Sequence, residues 1–169
     1  MSDLAAQIEP HIPSLRRYAR ALLRNQEAAD DLVQDCLERA LGRWHLRRHD
    51  ASSRAWLFAI LRNLHLNNVR QLSRRGVHVE FQEADGYASP DGDGERTLIV
   101  RDALHALATL PEEQRSLLLL VAIDDFSYQE AADLFKVPAG TIMSRLSRAR
   151  ANFRSAIEGG ARVTLRRVK

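Results

Sequence analysis

A chain of 169 residues that is 45% hydrophobic and 28% charged is sized for one or two small soluble domains with a buried core. It has no apolar run near the roughly 20 residues of a membrane span. Its opening, MSDLAAQIEP, lacks a basic-then-hydrophobic leader, so a cytoplasmic protein without membrane insertion is expected.

The net charge of +3 is unevenly placed. Residues 1–75 hold 13 Lys and Arg against 8 Asp and Glu, residues 76–97 hold 1 against 6, and residues 98–169 hold 11 against 8. Two basic blocks flanking an acidic tether fit a polyanionic partner touched at two places.

Taken in order, the periodicity predicts a first helix over about Pro13 to Leu23. Leu15, Tyr18, Ala19, Leu22 and Leu23 form its inner side, and Arg16, Arg17, Arg20 and Arg24 its outer side. Asn25 can cap a second helix, about Glu27 to Leu41, whose early acids suit the macrodipole. Ala29, Leu32, Val33, Cys36, Leu37 and Ala40 make its buried stripe, where the single cysteine reads as a small hydrophobe and an internal disulfide is excluded. Asp31, Gln34, Asp35 and Glu38 form the outer strip, which reads either as a solvated face or as a dock for a basic protein surface.

Gly42 to Ser53 looks like a break containing Arg43, Arg47 and Arg48, with Ser52 or Ser53 able to cap the next helix. That third helix runs to about Arg75, with Trp56, Leu57, Ile60, Leu61, Leu64 and Val69 supplying its core contacts. Arg54, Arg62, Asn63, Asn67, Asn68, Arg70, Arg74 and Arg75 are its polar complement. Asn63 and Asn67 share a face one turn apart. Amides beside arginines, with Trp56 nearby, suit unpaired bases that need edge hydrogen bonds and backbone clamping.

From Gly76 to about Thr97 the pattern fails in a glycine-rich, acidic stretch. It reads as a solvated linker or as a mimic of nucleic acid. Helical period resumes at Leu98, with Val100, Ala103, Leu104 and Leu107 leading to Leu110. Pro111 at a first helical position, followed by Glu112 and Glu113, opens another helix that Asp124 and Asp125 end.

Ser127 with Glu130 forms a capping box, and Ala131, Ala132, Leu134 and Phe135 follow as the apolar side of a short helix. After Lys136-Val137-Pro138 a second helix places Ile142, Leu146, Ala149, Phe153 and Ile157 on one buried stripe. Its complementary face carries Thr141, Ser144, Arg145, Ser147, Arg148 and Arg150. Two short helices with a tight turn and a cationic second member form a helix-turn-helix that reads a major groove. The competing reading is a solvated amphipathic helix. Arg162 to Lys169 make a basic tail.

No catalytic residue, metal or cofactor is expected. His45 and His49 lack a third ligand at a suitable spacing, and Asp30-Asp31 and Asp124-Asp125 are explained by helix start and helix end.

Three stretches in this order, AADDLVQDCLERAL (Ala28 to Leu41), SRAWLFAILRNLHLNNVRQLSRR (Ser53 to Arg75) and LPEEQRSLLLLVAIDDFSYQEAADLFKVPAGTIMSRLSRAR (Leu110 to Arg150), carry a resemblance that covers nearly the whole chain. It resembles the extracytoplasmic-function (ECF) sigma factors of bacterial RNA polymerase. The resemblance implies an all-α fold of two small helical domains joined by a flexible acidic linker, the C-terminal one a helix-turn-helix. Residues 1–75 would bind core polymerase and melt the −10 promoter element, 76–97 would be the linker, and 98–169 would read the −35 element.

It further implies that Asp31, Gln34, Asp35 and Glu38 meet the clamp helices of the polymerase largest subunit. Asn63 and Asn67 fall at the family positions near the −10 strand, and Thr141, Ser144, Arg145 and Arg148 in the −35 recognition helix. With the polar faces read above, the expected −10 residues are Arg54, Trp56, Arg62, Asn63, Asn67, Asn68, Arg70, Arg74 and Arg75, and the expected −35 residues are Thr141, Ser144, Arg145, Ser147, Arg148 and Arg150. Promoter DNA, core polymerase and an anti-sigma factor are the implied partners. SRAWLFAILRN and FSYQEAA are similar to members tied to general stress responses. Met143 departs from the family, where Lys is frequent, and Ala131 replaces a usual aliphatic. The rival reading, a free-standing dimeric helix-turn-helix regulator, accounts for the C-terminal half but leaves the third helix without a role.

Overall fold

The computed structural model describes residues 2–47, 52–76 and 94–166, which are all-α with no strand among them. They form two compact units, one built on helices between Ser2 and Arg74 and the other on helices between Gly94 and Arg166. Most of the tether, residues 77–93, and Arg48 lie outside the described residues.

The N-terminal unit opens with a helix that periodicity missed, α1 (Ser2–Ile8), followed by a 3-10 turn over Glu9–His11 and by α2 (Ile12–Leu23). SDLAAQI offers too few apolar positions to show a period, so nothing in the pattern marked α1. Pro10 and Pro13 sit in the first turns of their elements, where a missing N–H costs nothing. Helix α2 ends at Arg24, which adopts the left-handed conformation (φ 56°) and is buried. The sequence placed Arg24 on the outer face, but a residue at the cap no longer follows the helical wheel.

Asn25 caps α3 (Gln26–Arg43) as expected, its side-chain oxygen accepting the Ala28 N–H at 2.8 Å. A 3-10 turn over Trp44–Leu46 follows, and α4 (Ser53–Arg74) starts at the Ser52 cap. Helix α3 packs between α2 and α4. Leu15, Tyr18, Leu22, Val33, Leu57, Phe58 and Leu61 are fully enclosed, with Tyr18 and Phe58 edge to face at 5.4 Å. Phe58 and His65, which the sequence did not place in the core, are buried, whereas Trp56, Ile60, Leu64 and Val69 are only half-buried. Cys36 lies in this core with its thiol donating to the Leu57 carbonyl at 3.4 Å, and burial pushes its pKa up to about 12.

The C-terminal unit holds α5 (Gly94–Thr109), α6 (Glu112–Ile123), most of α7 (Tyr128–Phe135) and α8 (Ala139–Arg166), with Asp133–Lys136 grouped in the N-terminal unit. Helix α5 begins four residues before Leu98, because Gly94-Glu-Arg-Thr97 contributes no apolar position to the period. Val100, expected inside, is 43% exposed. Pro111 is the cap of α6 rather than its first residue.

The capping box closes in both directions. The Glu130 N–H donates to Ser127 Oγ at 3.1 Å, and the Ser127 N–H donates to the Glu130 carboxylate at 2.8 Å. Left-handed Asp125 (φ 50°) and Lys136 (φ 55°) make the turns on either side of α7. Ile142, Leu146 and Ala149 bury α8 against its unit as the stripe predicts, but Phe153 is half-buried and Ile157 is 38% exposed. Helix α8 runs to Arg166, and none of its residues from Arg150 to Gly159 is buried.

Candidate nucleic-acid interface

Asp31, Gln34, Asp35 and Glu38 are all exposed on α3, with the Gln34 amide donating to Glu38 at 3.0 Å. The strip is an acidic ridge, and Ala29, Leu32, Val33 and Cys36 opposite it are sealed in the core.

On α4 the structure divides the nine predicted residues. Trp56, Asn63, Asn67, Arg70 and Arg74 follow at spacings of seven, four, three and four, which puts them on one face. Asn63, Asn67, Arg70 and Arg74 are exposed, and Trp56 is half-buried at the head of the line. Arg54, Arg62, Asn68 and Arg75 fall outside this stripe. Arg54 is half-buried at the base of the helix; burial lowers the pKa of the His11 imidazole, and the Arg54 guanidinium lowers it further. Arg62 is half-buried, Asn68 is exposed off the line, and Arg75 is the helix cap.

The stripe therefore presents two amides and two guanidiniums about one turn apart, a pattern that can bond base edges and clamp phosphates. At its head Trp56 packs edge to face on Trp44 at 5.6 Å, and the Arg47 guanidinium lies 4.6 Å over the Trp44 ring. Trp44 and Arg47 are members that the sequence reading did not assign. Their signal was present, since two tryptophans flanking an arginine-rich break are unusual, but only the fold shows that the rings meet.

On α8, Ser144, Ser147, Arg148 and Arg150 are exposed, while Thr141 and Arg145 are half-buried. Arg145 forms an ion pair with Glu113 of α6 at 2.5 Å, and two turns further along α8 the Asn152 amide donates to Gln114 at 2.8 Å. Arg150 reaches the Tyr128 hydroxyl of α7 at 3.5 Å. The Ser144 hydroxyl donates to the Thr141 carbonyl at 3.0 Å, which fixes its rotamer. Neighbouring helices thus hold both edges of the α8 face, and Ser144, Ser147 and Arg148 lie between them. Met143, at 56% exposure, also stands on this surface, where an apolar side chain can pack against a thymine methyl.

No three His, Cys, Asp or Glu side chains among the described residues converge as a metal set. No described helix is long and apolar enough to cross a membrane.

Comparison with known proteins gives two consecutive domains. Residues 8–62 match the sigma2 domain of PhyR, and residues 101–153 match sigma-70 region 4. The chain is 41% identical over 144 residues to the ECF RNA polymerase sigma factor EcfG of Rhodopseudomonas palustris, covering 82% of this chain and 76% of that protein. Among solved structures it is similar to the sigma factor RpoE of Bartonella quintana, seen in complex with the anti-sigma factor NepR, at 31% identity and a TM-score of 0.77. That likeness covers 94% of this chain and 98% of RpoE. CnrH in complex with the cytosolic domain of CnrY is similar at 26% identity and a TM-score of 0.68, covering 92% and 88%.

Proposed function

Because the chain belongs to the ECF RNA polymerase sigma factors, we propose that the acidic ridge of α3 docks it on core polymerase and that α4 and α8 then read two promoter elements. The function is promoter-specific initiation of transcription. In this reading residues 1–75 bind polymerase and open the −10 element, 76–97 are the linker, and 98–169 read the −35 element. Asp31, Gln34, Asp35 and Glu38 meet the clamp helices of the largest subunit. Asn63, Asn67, Arg70 and Arg74 hold non-template bases and phosphates, and Ser144, Ser147 and Arg148 face the −35 major groove.

The observation that carries the reading is the exposed Asn63–Asn67–Arg70–Arg74 stripe on a helix that extends past its own core. A duplex-binding regulator has no use for it. Extruding bases costs roughly a few kcal/mol each, which edge bonds and stacking offset. The chain works by binding, in the cytoplasm, and makes or breaks no covalent bond itself. Its likeness to RpoE, seen in complex with the anti-sigma factor NepR, supports control by an anti-sigma protein, and the resemblance of SRAWLFAILRN and FSYQEAA to members of general stress responses points to that setting.

Charge reversal of the ridge, Asp35→Lys with Glu38→Lys, tests the assignment. Affinity for core polymerase should fall at least about tenfold, in line with an interface charge pair, with helix content unchanged. Undiminished affinity would remove the ridge from the interface. Tight, specific duplex binding by the wild-type chain without polymerase would instead favour a free-standing regulator.

A further inference from the structure

We infer that Gln7 of α1 is a positioning residue for the −10 helix, fixing the start of α4 against the end of the α3 segment. Gln7 lies one residue outside the stretch that matches the sigma2 domain. Its side-chain oxygen accepts two hydrogen bonds. One comes from the Arg47 guanidinium at 3.0 Å, just after the 3-10 turn that follows α3, and the other from the Ser53 hydroxyl at 3.4 Å, the first residue of α4. A single carbonyl group therefore joins two elements that the chain enters forty and forty-six residues later.

The consequence runs through Arg47. Its guanidinium lies over the Trp44 ring, where the bond to Gln7 helps to hold it. Trp44 in turn packs edge to face on Trp56, which heads the polar stripe of α4. Gln7, Arg47, Trp44 and Trp56 are thus one chain of contacts, all half-buried. Helix α1 is short, and Ile8 is its buried anchor. A short helix with little core of its own that supplies a two-way acceptor acts as a brace. It fixes the rotation of the first turn of α4, and with it the direction in which Asn63 and Asn67 point.

The proposal rests on the reading of α4 as the −10 helix, and its test has one readout that does not. The chain holds two tryptophans, and both belong to this cluster. Circular dichroism of the Trp44–Trp56 couplet and the intrinsic fluorescence therefore report on the brace directly in the purified full chain. Gln7→Ala should weaken the couplet and shift the emission, with helix content unchanged. In reconstituted polymerase it should lower run-off transcription from duplex promoter about threefold to tenfold more than from a pre-melted template, the scale of one typical net hydrogen bond. Gln7→Glu keeps the acceptor and should restore both signals.

A couplet unchanged in Gln7→Ala overturns the brace. A weakened couplet with equal transcription on both templates, in an experiment where Asn63→Ala with Asn67→Ala does discriminate them, overturns its role in promoter opening. If the asparagine variant also fails to discriminate, the −10 reading falls, and the couplet alone still decides the brace. Should Gln7→Ala fail to fold, Gln7→Met keeps the length of the side chain, removes its carbonyl acceptor and leaves Arg47 and the rings untouched, and the same outcomes apply.

Discussion

Both polar faces carry arginines beside uncharged polar side chains, hydroxyls on α8 and amides on α4, and they hold them differently. On α8 the arginines at the edges are tied down, Arg145 to Glu113 and Arg150 to Tyr128, and Ser144 bonds its own helix. On α4, Asn63, Asn67, Arg70 and Arg74 stand exposed along a line with aromatic support at one end. The difference matches the state of the DNA each face is proposed to meet. A duplex groove has fixed geometry, so side chains held in place before contact lose little entropy on binding. Unpaired bases have no fixed geometry, and exposed amides and guanidiniums that can follow them are the better match.

The largest effect that could break this comparison is in the cores beneath the faces. Leu61→Ala and Leu146→Ala each remove a fully buried side chain and should each cost about 2 to 5 kcal/mol. Thermal unfolding followed through Trp44 and Trp56 should then shift with Leu61→Ala far more than with Leu146→Ala. Equal shifts would show that the units do not unfold separately.

Next in size is Arg148→Ala, which should weaken −35 duplex binding by about 1 to 3 kcal/mol. Fluorescence anisotropy with matched and mismatched duplexes separates its two roles. A loss concentrated on the matched duplex marks base reading, and a uniform loss with a shallower salt slope marks a phosphate contact.

The smallest effect sharpens the comparison most. Glu113→Gln removes a half-exposed ion pair and should change stability by less than about 1 kcal/mol. It releases Arg145, so non-specific duplex affinity should rise while preference for the −35 sequence falls. An unchanged ratio of specific to non-specific affinity would mean that the tie has no part in reading.

Much of the fold was legible in the chain itself because short-range chemistry decided it. The Ser127–Glu130 box, the Asn25 cap and the apolar stripes of α3 and α8 involve residues three or four apart, and they appear where the pattern puts them. The misses share a different cause. Helix α1 and the first turn of α5 lack apolar periodicity, Arg24 leaves the helical wheel at a cap, and Ile157 lies where α8 has run past its core. The ties that distinguish the two faces were not legible at all. Glu113 to Arg145, and Gln7 to Arg47 and Ser53, join residues more than thirty positions apart, and no local spacing announces such a partner.

Run-off transcription by reconstituted polymerase carrying Asn63→Ala with Asn67→Ala, on linear duplex and on the same promoter opened in advance, probes the assignment of α4 most directly. Output from the duplex should collapse while output from the opened template stays within a small factor of wild type. Equal losses on both templates would contradict it.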